Sequence, residues 1–147
     1  MGLFSKLVGM PEADPSGRSR EYFELVAKTA MKMAIRGDLP RAVKHMEIMI
    51  MKAADKYNRY HPDIGRARLA KAAIFYLSGD LEEAHTEVDS ALIILGAYPE
   101  ICEFDIQAAK DFSDILDTAE KQLSGASEKE PNLYGRPFGA WVSRLES

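Results

Sequence analysis

Apolar residues recur every three or four positions along most of the chain, which is the spacing of one face of an α-helix. Comparable stripes cover residues 19–36, 42–56, 63–78 and 81–95. The longest stripe is formed by Ile101, Phe104, Ala108, Phe112, Ile115, Ala119 and Leu123. The pattern therefore predicts an all-α protein with five helices.

Two of these helices differ in how their apolar residues are distributed. Residues 63–78 are apolar nearly all round, which is typical of a helix covered on several sides. This third helix is therefore expected at the centre of the fold. The fifth helix has a single apolar stripe with charge opposite, which predicts an end-capping helix with a neighbour on one side only.

The tripeptide Gly-Asp-Leu occurs twice, 42 residues apart, each time between two predicted helices. Gly37 and Gly79 stand where a glycine closes a helix in the left-handed conformation. Asp38 and Asp80 follow, and each is expected to cap the next helix by accepting from its first amides. Glu83 completes a capping box with Asp80. The chain is thus predicted to fold as two helix hairpins followed by the fifth helix.

The two ends of the chain differ in composition from its middle. Residues 1–17 are rich in glycine and proline and are predicted to form a flexible arm. Residues 18–123 form the helical domain, and residues 124–147 form a polar linker with an aromatic tail. Tyr134, Phe138 and Trp141 lie in that tail, and burial is the physical reason to cluster aromatic side chains there. We expect the tail to dock in its own groove or in that of a neighbour.

No apolar run approaches the roughly 20 residues that a membrane span needs. The first residues lack the pattern of a signal peptide, so a cytoplasmic location is expected. The short apolar run at residues 3–8 would bind a membrane surface only weakly. No membrane partner is therefore expected.

Charge is distributed unevenly, with a net +6 over residues 1–79 and −10 over residues 80–147. Such polarity suits an acidic partner at one end and a basic one at the other, or head-to-tail association. The same net charges would also be found if both charged faces were simply exposed to solvent and bound no partner. A sequence pI of about 5.4 and the lack of a basic face with stacking aromatics argue against nucleic-acid binding.

Residues that could carry catalysis or bind a metal are few. His45, His61 and His85 lack the spacing of a metal motif, and surface or capping roles are expected for them. Cys102 is the single cysteine, so no disulfide or thiolate cluster forms. A position at the start of a helix would lower its pKa, although a small buried residue is the simpler interpretation. No catalytic residue, metal or cofactor is predicted.

Two groups of acidic residues accompany the fifth helix. The second group could chelate a cation weakly, since its members are three residues apart. A solvated helix face is the expected role of both groups. They are Glu100, Glu103 and Asp105, and then Asp111, Asp114 and Asp117.

The two hairpins resemble tetratricopeptide repeats, which place small residues where paired helices touch and an aromatic near the end of the first helix. The matching positions are Ala30, Ala72, Ala42, Ala84, Phe75 and Pro99. The family's usual Trp and Leu-Gly of the first helix are missing, since Arg68 and Lys71 occupy those places. The period of 42 residues exceeds the usual 34 and, with residues 61–63 opening the second repeat, is similar to the long kinesin light chain variant.

The resemblance implies an α-α superhelix that binds a protein or peptide segment in a concave groove lined by the first helix of each pair. The matching positions in this sequence are Lys28, Met31, Arg66, Leu69, Ala73 and Tyr76. No asparagine occupies these helix positions, so no clamp for a terminal carboxylate is expected. The predicted groove is mostly apolar, with Lys28 and Arg66 as anion contacts.

The predicted function is that of a small non-catalytic adaptor. The alternative is a self-assembling structural protein that forms dimers or head-to-tail oligomers. Five of the seven methionines lie between Met31 and Met51, where they serve as core filling or as an adaptable contact surface. The stripe that pairs the first two helices does not use Ile48 and Met51, so these are expected to contact another helix or another subunit.

Overall fold

The computed structural model describes residues 18–123 and 135–146. Over these ranges the chain is 83% helical, with six helices and no strand, which confirms the predicted all-α class. The predicted N-terminal arm and Tyr134 lie outside the described residues. The helices are α1 (Arg18–Ile35), α2 (Leu39–Lys56), α3 (Pro62–Leu77), α4 (Leu81–Leu95), α5 (Glu103–Leu123) and α6 (Pro137–Glu146).

The two Gly-Asp-Leu turns have the same backbone geometry. Gly37 and Gly79 adopt φ angles of +91° and +82°, the left-handed conformation predicted for them. The Asp38 N–H donates to the Met33 carbonyl at 2.9 Å, and the corresponding bond from Asp80 in the second turn is also 2.9 Å. Each turn therefore closes its helix in the same way, and α1–α2 and α3–α4 are both helix hairpins.

The side-chain caps of the two hairpins differ. The Asp80 carboxylate accepts from the Glu83 N–H at 3.2 Å, as predicted. The predicted cap at Asp38 is wrong, because its side chain makes no capping hydrogen bond. Pro40 stands at the second helical position and has no N–H, which removes one of the amides that a capping carboxylate uses. The Asp38 carboxylate lies instead 3.8 Å from the Arg41 guanidinium.

Helix α3 lies at the centre of the fold, as its apolar sequence predicted. It packs against α1, α2, α4 and α5. It meets α4 at Gly65, where an added Cβ atom would lie 2.8 Å from the Leu95 Cγ atom. A side chain at this position would push the two helices apart, so glycine lets them approach.

Helix α5 differs from its prediction in two ways. It begins at Glu103, because residues 96–102 form turns in which the Cys102 N–H donates to the Tyr98 carbonyl at 3.0 Å. It also packs against α4 and α6, so the prediction of a neighbour on one side only is wrong. Asp105, Ala109 and Leu116 are buried in addition to the central residues of the predicted stripe.

The basic and acidic parts of the chain meet inside the molecule. Arg68 and Lys71 on α3 lie 3.1 and 3.0 Å from the carboxylate of Glu87 on α4. The two helices belong to opposite sides of the charge boundary near residue 79. Ion pairs between helices of the same chain therefore neutralise part of the opposite charge carried by its two halves.

None of the helices in the described ranges combines the length and the apolar character needed to cross a membrane.

Candidate functional site

Helix α6 lies in a groove formed by α1 and α5, which we call the α1/α5 groove. Phe138, Trp141 and Leu145 are spaced at i, i+3 and i+7, and they are 1%, 1% and 2% exposed. Pro137 begins the helix, where its missing N–H has no cost. The segment predicted as an aromatic tail is therefore an amphipathic helix whose apolar face is buried against the rest of the chain.

The buried face of α6 joins a cluster of aromatic rings. The Phe138 ring stacks on the Phe112 ring, with centroids 3.9 Å apart and an interplanar angle of 7°. Trp141 lies 5.9 Å from Phe23, and Tyr76 meets Phe112 edge-on at 5.6 Å. These rings come from α1, α3, α5 and α6. Aromatic stacking thus fixes the position of α6 as well as burying its surface.

The carboxylate of Asp105 forms the polar centre of the site, and it is 0% exposed. It accepts from Arg20 at 2.7 Å, from the Nε atom of Arg66 at 3.1 Å and from the indole N–H of Trp141 at 2.8 Å. We call these four residues the Asp105 hub. The hub links α1, α3, α5 and α6 through one carboxylate.

The hub is nearly balanced in charge, because Arg66 also lies 2.9 Å from the carboxylate of Asp63. Burial alone would lower the pKa of Arg66. The charge of Asp105, together with Cys102 and Asp63, outweighs burial and raises that pKa above its ordinary value. The guanidinium therefore stays charged and neutralises the buried carboxylates beside it.

Carboxylates also hold the two ends of α6. Asp111 accepts from the Nε atom of Arg136 at 2.8 Å and from the Phe138 N–H at 3.0 Å. At the other end, Arg144 lies 2.8 Å from the carboxylate of Glu24. Asp111 thus accepts from a first-turn amide of α6. Its negative charge also interacts favourably with the positive end of the helix dipole.

The six residues predicted to bind a partner do not form an open surface in this structure. Met31, Arg66, Leu69 and Ala73 are buried, while Lys28 and Tyr76 are half-buried. The guanidinium of Arg66, predicted to contact an anion of a partner, instead binds Asp105 and Asp63. The groove that holds a helix lies between α1 and α5, whereas the resemblance placed it along the first helices of the two pairs.

Two of the three predicted tail residues belong to the described part of the chain. Phe138 and Trp141 are both buried in the α1/α5 groove of their own chain. Tyr134 lies outside the described residues.

The sequence interpretation missed Asp105, which it assigned to a solvated helix face. The signal was its position, because Asp105, Ala108 and Phe112 follow the spacing of the apolar stripe. A carboxylate on an apolar face predicts a buried ion pair or hydrogen bond. Asp111, from the second acidic group, is half-buried and binds α6, so the prediction of a solvated face is wrong for it also.

Two of the three histidines, His61 and His85, have polar contacts within the fold. The buried His61 precedes α3, and its Nδ1 atom accepts from the Asp63 N–H at 3.1 Å. His85 lies near Asp117 and Glu120 of α5, and the potential ligand atoms of these three residues lie within 4.8 Å of one another. The two carboxylates are 57% and 51% exposed. The His85 Nε2 atom lies 2.9 Å from a carboxylate oxygen of Glu120, and nothing else in the described residues points to a metal there.

Cys102 is buried, with its Sγ atom 3.7 Å from a guanidinium nitrogen of Arg66. Burial raises the pKa of this thiol to about 11, although the charge of Arg66 acts in the opposite direction. The sequence allowed a lowered pKa at a helix start. The helix instead begins after Cys102, and loss of solvent has the larger effect.

We expect Cys102 to be almost inert towards the thiol reagent DTNB in the native protein at pH 8. With a thiolate fraction set by a pKa of about 11 and no solvent access, labelling should be at least about a hundredfold slower than in guanidinium. The measurement is the rate of absorbance increase, with the denatured protein as the control. Labelling at equal rates in both states would show that the thiol is exposed.

The fold and the site together define an all-α protein with a helix held in a groove by aromatic packing and by carboxylates, one of them fully buried. Searches for related sequences and structures found no matching family model and no significant match to a curated protein or a solved structure.

Proposed function

We propose that the protein is a non-catalytic interaction module that binds a helical segment of a protein in the α1/α5 groove. The observation that carries this proposal is the way α6 is bound. Its anchors at i, i+3 and i+7 have the spacing with which amphipathic helices bind in grooves of other proteins. In this interpretation, α6 is the resident occupant of a binding site.

The polar centre of the groove supports the idea that the occupant is replaceable. Arg20 and Arg66 come from α1 and α3, so Asp105 keeps both ionic partners when α6 leaves. Helix α6 contributes only the neutral N–H of Trp141 to that carboxylate. The departure of α6 therefore leaves the buried carboxylate with its counter-charges. An unpaired buried charge would be the most costly consequence of removing a buried partner.

The tetratricopeptide-like arrangement remains part of the proposal. The two equivalent hairpin turns support it, since each repeat of that family is one helix pair. In the family, such pairs present a groove to a peptide. Here the occupied groove combines the first helix of the first pair with α5.

Self-assembly is the second candidate function. Ile48, Met51 and Ile93 are exposed by 42%, 66% and 75%, and exposed apolar side chains favour contacts between subunits. Met46 and Met49, in contrast, are buried and fill the core. Light scattering at low and high salt distinguishes the two functions, because a monomer at both salts excludes assembly as the main role.

The test uses the full chain with Phe138→Ala and Trp141→Ala, which we call the released variant because it removes both aromatic anchors of α6. A labelled peptide of residues 135–147 should bind it with one-to-one stoichiometry in fluorescence anisotropy. The unaltered chain should bind the peptide at least about tenfold more weakly, because tethered α6 competes at a high effective concentration.

The matched control changes two exposed positions of α6, Ala140→Ser and Glu146→Gln, and should behave like the unaltered chain. Circular dichroism must show that the released variant keeps helices α1–α5. A folded released variant that fails to bind the peptide at any concentration would contradict the proposed function.

A further inference from the structure

We propose that the α1/α5 groove selects a basic amphipathic helix with a tryptophan at the centre of its inner face and an arginine near each end. This inference rests on the proposed function and specifies the class of partner. Asp105, Asp111 and Glu24 are the residues that would confer this selectivity. Helix α6 carries the corresponding pattern in Arg136, Phe138, Trp141, Arg144 and Leu145.

The centre of the groove requires a neutral donor. An ionised carboxylate only accepts hydrogen bonds, and Asp105 already receives those of Arg20 and Arg66. The indole N–H of Trp141 supplies a further bond at 2.8 Å. A phenylalanine at that place would fill similar space without the bond. A lysine would place a third cation beside Arg20 and Arg66, which already bind the carboxylates of Asp105, Asp63 and Glu24.

The first end of the groove determines the direction of the bound helix. The Asp111 carboxylate binds the Arg136 side chain and also the backbone N–H of Phe138. Only the N-terminal turn of a helix has amides available for such a bond. A helix in the opposite direction would present carbonyl oxygens to Asp111, and an ionised carboxylate has no hydrogen to donate to them. The N-terminus of the partner therefore lies at Asp111.

The second end of the groove also favours a basic residue. Arg144 contacts the Glu24 carboxylate, and its guanidinium lies 5.5 Å from the centre of the Phe104 ring. The Arg20 guanidinium lies 5.4 Å from the same ring. Glu24 and Phe104 thus receive a guanidinium through both charge and a cation–π contact. An acidic helix would bring further carboxylates beside Asp111 and Glu24, so the groove disfavours it as a partner.

Binding of peptide variants to the released variant tests this selectivity. The native 135–147 peptide is compared with a peptide carrying Trp141→Phe and with one carrying Arg136→Glu. We expect about tenfold weaker binding for Trp141→Phe, from the loss of one hydrogen bond to a buried charge. We expect a loss of at least about tenfold for Arg136→Glu, which places two carboxylates together.

A charge exchange provides the decisive control. Adding Asp111→Lys to the released variant should restore binding of the Arg136→Glu peptide and weaken binding of the native one. If all three peptides bind equally well, the groove recognises only apolar surface, and this inference is wrong while the proposed function stands. If the native peptide does not bind at all, the proposed function itself fails. A helix that binds after its sequence is reversed would contradict the direction set by Asp111.

Discussion

Replacing Asp105 with alanine is expected to lower the free energy of unfolding by about 3–5 kcal/mol, the usual cost of removing one partner of a buried ion pair. The change leaves Arg20 and Arg66 close to each other without the carboxylate that binds both. It also removes the acceptor of the Trp141 N–H. Urea denaturation at pH 7, followed by circular dichroism, measures the loss.

Asp114 provides a matched control for this change, because it is an exposed acidic residue on the same helix. Asp114→Ala should change the free energy of unfolding by no more than about 0.5 kcal/mol. Asp105→Asn should have an intermediate effect, since it keeps an oxygen acceptor but loses the charge. Equal effects of Asp105→Ala and Asp114→Ala would show that the hub does not stabilise the fold.

Replacing Trp141 with alanine is expected to release α6 from the groove while α1–α5 remain folded. The lost contacts are worth about 3–5 kcal/mol, a typical cost of truncating a buried tryptophan. A ten-residue helix cannot compensate for that loss, because isolated helices of this length are unstable in water. Hydrogen exchange detected by mass spectrometry should show rapid exchange in α6 and unchanged protection in α3.

Two variants make this experiment specific. Ala140→Ser alters an exposed position of α6 and should leave its protection unchanged. Trp141→Phe keeps an apolar ring but loses the bond to Asp105, so it should loosen α6 less than alanine does. Amides of α6 that remained as protected in Trp141→Ala as in the unaltered chain would show that Trp141 does not hold α6 in the groove.

The hairpins could be predicted from the sequence because their signals are local. Gly37 and Gly79 stand at the helix ends where a left-handed residue is needed, and the apolar stripes on either side have a helical period. The central position of α3 followed from apolar residues on all of its faces. The failed cap at Asp38 also has a local cause in Pro40, which the sequence displayed.

Helix α6 was predicted only as an aromatic tail, although Phe138, Trp141 and Leu145 have a helical spacing. Gly135 and Gly139 favour other conformations, and a short helix gains its stability from tertiary contacts. Those contacts lie far away in the sequence. Trp141 bonds to a residue 36 positions earlier, so local patterns could not reveal what stabilises the helix.

The Asp105 hub illustrates the same limit for the site. Arg20 and Asp105 are 85 residues apart, and only the packing of α1 and α5 against α3 and α6 brings them together. Asp105 was assigned to a solvated face although the spacing of the apolar stripe indicates a core position, and no local pattern indicates which cations neutralise it. The resemblance to tetratricopeptide repeats remains a prediction, and so do the adaptor function and the partner-binding role of Lys28 and Tyr76.

The position of α6 in the α1/α5 groove is tested most directly by the fluorescence of Trp141, the single tryptophan of the chain. Because this side chain is 1% exposed in the α1/α5 groove, the native full-length protein should show blue-shifted emission and weak quenching by acrylamide. Denaturation should shift the emission to that of tryptophan in water. Water-like emission and full quenching in the native protein would contradict the account, because α6 would then lie outside the groove.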